Sequence, residues 1–151
     1  DAMIDVVLGD GRLMLNQEPF TAAPKYDLLV LDAFSGDAVP IHLLTQEAFQ
    51  IYLNRLSPDG ILAINISNRI IDLRRAIEGN ARQSRLYLSH IIHHPESEDW
   101  WRFSSEWLLL APRRETLNTA SITEWSGIAN PADLDGPIWS DEFASILPML
   151  R

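Results

Sequence analysis

Apolar residues in this chain gather into short uninterrupted runs closed by polar turns, and between the runs they recur at helical spacing. Residues 4–8 form the first run, rich in β-branched side chains and closed by Gly9-Asp10-Gly11, which predicts a buried strand and a turn. Residues 12–16 can begin a short helix. A second run, Leu28 to Leu31 within residues 27–32, is continuous rather than alternating, as expected of a parallel strand covered on both faces. Phe49, Tyr52, Leu53 and Leu56 fall at i, i+3, i+4 and i+7, one face of a helix that Thr45 caps and whose first turn holds Glu47. Ser57-Pro58-Asp59-Gly60 stops that helix, and residues 61–66 make a third strand. Asn68 can cap another helix, with Ile70, Leu73 and Ile77 on one face. Residues 85–92 and 106–111 read as two further strands, joined by a polar loop that holds Trp100 and Trp101. From Pro112 the chain is loop-rich until Ser140-Asp141-Glu142 opens a last short helix ending near Pro148. Strands alternating with helices over short connections predict an α/β fold of right-handed βαβ units.

Composition narrows this picture. The 151 residues give room for one domain with a sizeable core, and 46% hydrophobic with 22% charged residues excludes a disordered chain. Cysteine is absent, so disulfides and thiolate metal sites are excluded, in keeping with a cytoplasmic location. A net charge of −9 argues against a nucleic-acid partner, which needs a positive footprint. The same charge mildly favours a small cationic ligand, although acidity that merely keeps the domain soluble is the plainer reading. No apolar run approaches the length of a membrane span, and no secretory or transit signal is visible. The chain enters an apolar run almost at once, after Asp1-Ala2-Met3, as expected of a segment cut from a longer protein.

In open parallel sheets ligands sit beyond the carboxyl ends of the strands, so the residues there are the candidates for chemistry. They are Gly9, Asp10, Gly11 and Arg12 after the first run, Asp32, Ala33, Phe34, Ser35, Gly36 and Asp37 after the second, and Asn65, Ser67 and Asn68 at the third. Asp10 has two readings of equal standing: a turn residue that caps the next helix, or a carboxylate that accepts hydrogen bonds from a ligand amino group. Asp32 ends an apolar run, where a carboxylate is costly unless paired or used. Asp37, in a loop, is by itself an ordinary solvated acid. His93 and His94 beside Glu96, Glu98 and Asp99 lack the spacing of a metal site, and none is expected. Trp100, Trp101 and Trp107 read as cover for a core edge, Arg74-Arg75 as an exposed helix face, and His42 and His90 as structural.

Three segments, Val7 to Arg12, Tyr26 to Asp32 and Asp37 to Thr45, closely resemble the spermidine-synthase-like family. Leu56-Ser57-Pro58-Asp59-Gly60-Ile61-Leu62 continues the likeness. Ile138-Trp139-Ser140-Asp141-Glu142-Phe143 resembles the Trp-Thr-Asp-Asp-Tyr signature of bacterial members, including those fused to membrane transporter segments. The resemblance implies a Rossmann-like class I methyltransferase fold and transfer of an aminopropyl group from decarboxylated S-adenosylmethionine to a small cationic amine such as putrescine. It places Asp10 on the adenine amino group and Gly11 beside the ring, counts Gly9, Asp32 and Ala33 with them as cofactor-binding, and makes Asp32 the first carboxylate of the acidic loop near the reacting amine. There a carboxylate can take the proton that an amine of pKa about 10 must lose before it attacks.

The sequence departs from the family in two respects. The family's second loop acid falls on Ser35, so Asp37 is the nearest candidate to stand in for it as a catalytic carboxylate. The glycine-rich first turn and the acid that follows it are absent, since Gly9-Asp10-Gly11 is no G-x-G-x-x-G. The expectation is therefore a partial fold, residues 1–151 supplying strands 3 to 7 of the order 3-2-1-4-5-7-6, with residues 4–8 displaced, poorly ordered or paired with another chain. An open sheet edge of this kind favours a homodimer. Weak or no binding of decarboxylated S-adenosylmethionine or S-adenosylmethionine by this chain alone is expected. A methyltransferase of the same fold, and a non-catalytic binding or assembly domain, are the competing readings.

Overall fold

The computed structural model describes residues 3–17, 26–33, 40–68, 70–95 and 104–150. In chain order the elements are α1 (Gly11–Gln17), β1 (Tyr26–Leu31), α2 (Gln46–Arg55), β2 (Leu56–Asn65), α3 (Leu73–Gln83), β3 (Tyr87–His93), β4 (Ser105–Ala111), α4 (Arg114–Leu117), α5 (Ala120–Thr123) and β5 (Ile128–Ala129). Short 3-10 turns lie at Ile41–Leu43, Pro131–Asp133 and Leu147–Met149.

The strands form one five-stranded sheet in the order β1-β2-β4-β3-β5. β1 and β2 are parallel, whereas β4 runs antiparallel to both β2 and β3. Read as strands 4, 5, 7 and 6, the first four reproduce the tail of the order 3-2-1-4-5-7-6, as the resemblance implies. β5 adds a two-residue edge on β3.

α2 forms where its sequence favours it. The Thr45 hydroxyl accepts from the Ala48 N–H at 3.4 Å, and Phe49 and Tyr52 are fully buried. They meet Leu62 and Ile64 of β2, Ala76 and Ile77 of α3, Leu108 and Leu110 of β4, and Trp139 and Met149 of the tail, all in one apolar cluster. Ala63, Ser89, Ala111 and Leu117 are buried outside that cluster.

The structure corrects several expectations. Residues 4–8 are not a buried strand: they carry no regular structure, and Ile4 is 85% and Leu8 91% exposed. No described strand lies beside this segment. β1 is not covered on both faces, since Leu29 and Leu31 pack on the core while Leu28 and Val30 are open. Ser57 to Gly60 is not a turn between helix and strand. β2 starts at Leu56, and its register against β1 jumps from Tyr26↔Leu56 to Leu28↔Ile61, so these residues form a bulge.

Asn68 caps no helix. Its Oδ1 accepts from the N–H groups of Ile70 and Ile71 at 2.9 Å each, and α3 starts later with Asp72 as its cap. This local turn puts Ile71 in the core and leaves Ile70 exposed. Arg85 is not the first residue of a strand; at φ 57° it ends α3 in the left-handed region, with Leu86 N–H donating to Ala81 O at 2.9 Å. No helix follows Ser140, because the Asp141 carboxylate is engaged across the molecule instead of capping a local turn. The loop with Trp100 and Trp101 lies outside the described residues.

Candidate active site

Gly9 takes φ +151°, a conformation side-chain-bearing residues rarely adopt, and so lets the chain turn sharply into α1. Asp10 caps that helix: Oδ1 accepts from Leu13 N–H at 2.9 Å, and the main-chain carbonyl accepts from Met14 N–H at 2.9 Å. Its other oxygen, Oδ2, meets His42 Nε2 at 2.8 Å. The Leu13 N–H and then His42 hold the Asp10 carboxyl below its ordinary value. The capping reading of Asp10 is thus seen directly, and His42, read from the sequence as merely structural, lies against this carboxylate.

Arg12 projects from the same helix. It donates from Nη1 and Nη2 to the two carboxylate oxygens of Asp141, at 2.7 and 2.6 Å, and from Nη1 to His42 O at 2.7 Å. Thr45 adds a hydroxyl bond to Asp141 Oδ1 at 2.8 Å, and Asp141 N–H donates to Glu47 Oε2 at 3.0 Å. The bonds from Arg12 outweigh the effect of burial and, together with that from Thr45, hold the Asp141 carboxyl down at about 2. Buried Arg55 of α2 ties in α1 from the other side, its Nε donating to Leu15 O at 2.8 Å. Burial pushes the Tyr52 phenol well above its ordinary value, and its hydroxyl donates to Leu43 O at 3.0 Å.

Asp32 follows β1 directly, at the carboxyl end of the strand. The register Leu31↔Ile64 brings it beside Asn65, whose Nδ2 donates to Asp32 Oδ1 at 2.8 Å. Asp32 Oδ2 has no partner among the described residues. Asp32 and Ala33 line a cleft of about 690 Å³, together with Gly11, Arg12, Met14, Tyr26 and the length of β1. That volume suits a ligand of nucleoside size. A Cβ added to Gly11 would meet nothing within 4 Å, so this glycine borders open space. Asp10 does not line this cleft. It faces an adjoining recess of about 370 Å³ with His42, Leu13, Asn16, Ile51 and Asp141, and Arg12 borders both.

The structure therefore brings Gly11, Asp32 and Ala33 together and sets Asp10 to one side, while Asp37 and Ser35 lie outside the described residues. The sequence offers Arg12 and Asn65 as strand-end candidates with no role assigned, and does not mark His42 or Asp141 as site residues. Arg12 and Asp141 do stand inside two of the segments that carry the family resemblance, yet 129 positions apart. No spacing rule could have joined them. Among the described residues there is no cluster of His, Cys, Asp and Glu fit to hold a metal. Among them also, no helix is long and apolar enough to cross a membrane.

Comparison with known proteins bears on local sequence and on the fold. No family model matches the chain. Over 57 residues the chain is 37% identical to a polyamine aminopropyltransferase of Vibrio vulnificus (strain CMCP6), a stretch that is 38% of this chain and 19% of that protein. The fold is similar to that of a probable spermidine synthase from Corynebacterium glutamicum ATCC 13032, with a TM-score of 0.51 and 15% identity over 95% of this chain. The match takes in 56% of the length of that second protein. In local sequence the chain is thus similar to that aminopropyltransferase, and in fold to that spermidine synthase.

Proposed function

We propose that the chain carries the amine-accepting part of an aminopropyl-transfer site. The observation that carries the reading is Asp32 at the carboxyl end of β1, one oxygen held by Asn65 and the other without a partner among the described residues, at a ligand-sized cleft bordered by Gly11. When bound, decarboxylated S-adenosylmethionine would supply an aminopropyl carbon activated by its sulfonium. Asp32 accepts the proton of the incoming ammonium, which frees the nitrogen lone pair to form the new C–N bond while the C–S pair returns to sulfur. A carboxylate is the right group, because it attracts the cation before transfer and takes its proton during it. Gly11 leaves room for a ring to approach the backbone.

Putrescine is the acceptor we favour, on the name of the Vibrio relative and the acidity of the chain. Asp10, already shared between Leu13 and His42, keeps lone pairs for the adenine amino group from the adjoining recess. With no G-x-G-x-x-G in the sequence, the adenosyl moiety lacks the glycine cradle this fold normally provides, so this chain alone transfers slowly or not at all.

Calorimetric titration with putrescine and, separately, with methylthioadenosine tests the reading. Putrescine is expected to bind weakly, with affinity falling about tenfold or more in Asp32→Asn. Methylthioadenosine is expected to bind more weakly than about micromolar. An Asp32→Asn variant that binds putrescine as the parent does would end the assignment of Asp32.

A further inference from the structure

Asp32 is exposed and follows the last residue of its strand, a setting in which a carboxylate ordinarily samples several rotamers. Asn65 restrains it. Asn65 is the last residue of β2, paired with Trp107 of β4 on one side and lying beside Asp32 on the other. Its own amide cannot turn over freely: Asn65 Oδ1 accepts from Ser67 N–H at 2.9 Å, so Nδ2 must point the other way, at Asp32 Oδ1. Ser67 is anchored in turn, its Oγ accepting from Glu106 N–H at 2.9 Å. A chain of hydrogen bonds thus runs from the β4 backbone through Ser67 and Asn65 to one oxygen of Asp32.

We infer that Asn65 is a positioning residue for the amine-accepting carboxylate. By occupying Oδ1 it restrains the carboxylate and leaves Oδ2 as the oxygen available to an incoming ammonium. This rests on the proposed role of Asp32 in amine binding. A neutral apolar residue at position 65 would leave Asp32 free to rotate, and an acid there would repel it. Asn65 itself is absent from the lining of the cleft, so it acts through Asp32 and not on the ligand.

The test is a double-substitution cycle in the full chain, with putrescine as the probe and heteronuclear NMR titration as the readout. Asn65→Leu, close to Asn in size but without a donor, is expected to weaken binding about five- to tenfold. In the Asp32→Asn background the same substitution is expected to change the remaining affinity less than about twofold, the non-additivity of two groups acting as one. Thermal melting of each variant separates this from a general loosening of β2, which would weaken binding equally in both backgrounds. Asn65→Ser, equally unable to reach Asp32, replaces Asn65→Leu should the latter fail to fold. If Asp32→Asn weakens binding and neither Asn65 variant does, the inference is overturned while the role of Asp32 stands. If the parent chain binds no putrescine, or Asp32→Asn binds it unchanged, the functional reading falls and the inference with it.

Discussion

Arg12 illustrates how much a single side chain can gather. Its guanidinium is largely buried, at 14% side-chain exposure, and the fork geometry that matches a carboxylate lets it hold Asp141 through both oxygens. Asp141 is 43% exposed, so solvent screens the pair and its worth stays near that of a well-aligned surface bridge. Asp141→Asn is expected to cost about 1 kcal/mol at neutral pH. The sign of the pH dependence follows from the direction of the shift. The folded carboxyl titrates at about 2, below its ordinary unfolded value near 4, so the stabilisation is present above about pH 4 and is lost as the pH falls toward 2. Melting curves of the parent and of Asp141→Asn should differ at pH 7 and converge below about pH 2; a full-sized difference that persists there would refute the account. His42 and Asp10 show why such contacts escape a reading of the sequence. Each has an ordinary local role, and only the path of the chain between them brings their side chains to 2.8 Å.

Among the elements, α2 follows its local sequence closely and α3 does not. Thr45, Glu47 and the Phe49/Tyr52 face agree on one helix, and the core accepts that face. α3 is shaped by what packs on it. A Cβ at Gly79 would meet the carbonyl of Pro137, and one at Gly136 would meet the carbonyl of Arg75, so helix and tail touch backbone to backbone. Gly79→Ala should therefore destabilise by about 1–3 kcal/mol, because overpacking exceeds the gain of up to about 1 kcal/mol in helix propensity. Urea denaturation measures this, and a midpoint equal to or above that of the parent would show that the tail can move aside. The contact also explains the missing helix after Ser140. Trp139 is fully buried, its carbonyl accepts from Gln46 N–H at 2.7 Å, and Asp141 is drawn to Arg12 and Thr45, which leaves the segment no helical alternative.

For the molecule as a whole, β2 and β4 are each hydrogen-bonded on both sides, whereas residues 3–8 are exposed and without regular structure. Amide exchange should accordingly be slowest at Leu62, Ile64, Leu108 and Leu110, intermediate in β1, and fastest in residues 3–8. Slow exchange in residues 3–8 would mean that they pair with something, most simply a second copy of the chain. The α/β class, the positions of β1, β3 and β4 to within two residues, the end of β2, the Thr45 cap and Asp32 at a strand end were all legible in the amino-acid sequence. They are local, each decided by runs and spacings over ten residues or so, where apolar burial and capping chemistry suffice. Burial of residues 4–8 and of both faces of β1 was not legible, because an apolar run states what a segment would bury and not whether a neighbour exists to bury it. Nor were the Arg12–Asp141 bridge, the His42–Asp10 contact and the Asn65–Asp32 bond, which depend on which strand ends lie side by side. Local patterning by itself determined the elements and their fold class; tertiary structure alone decided which donors meet the candidate carboxylates, since those contacts come from long-range packing.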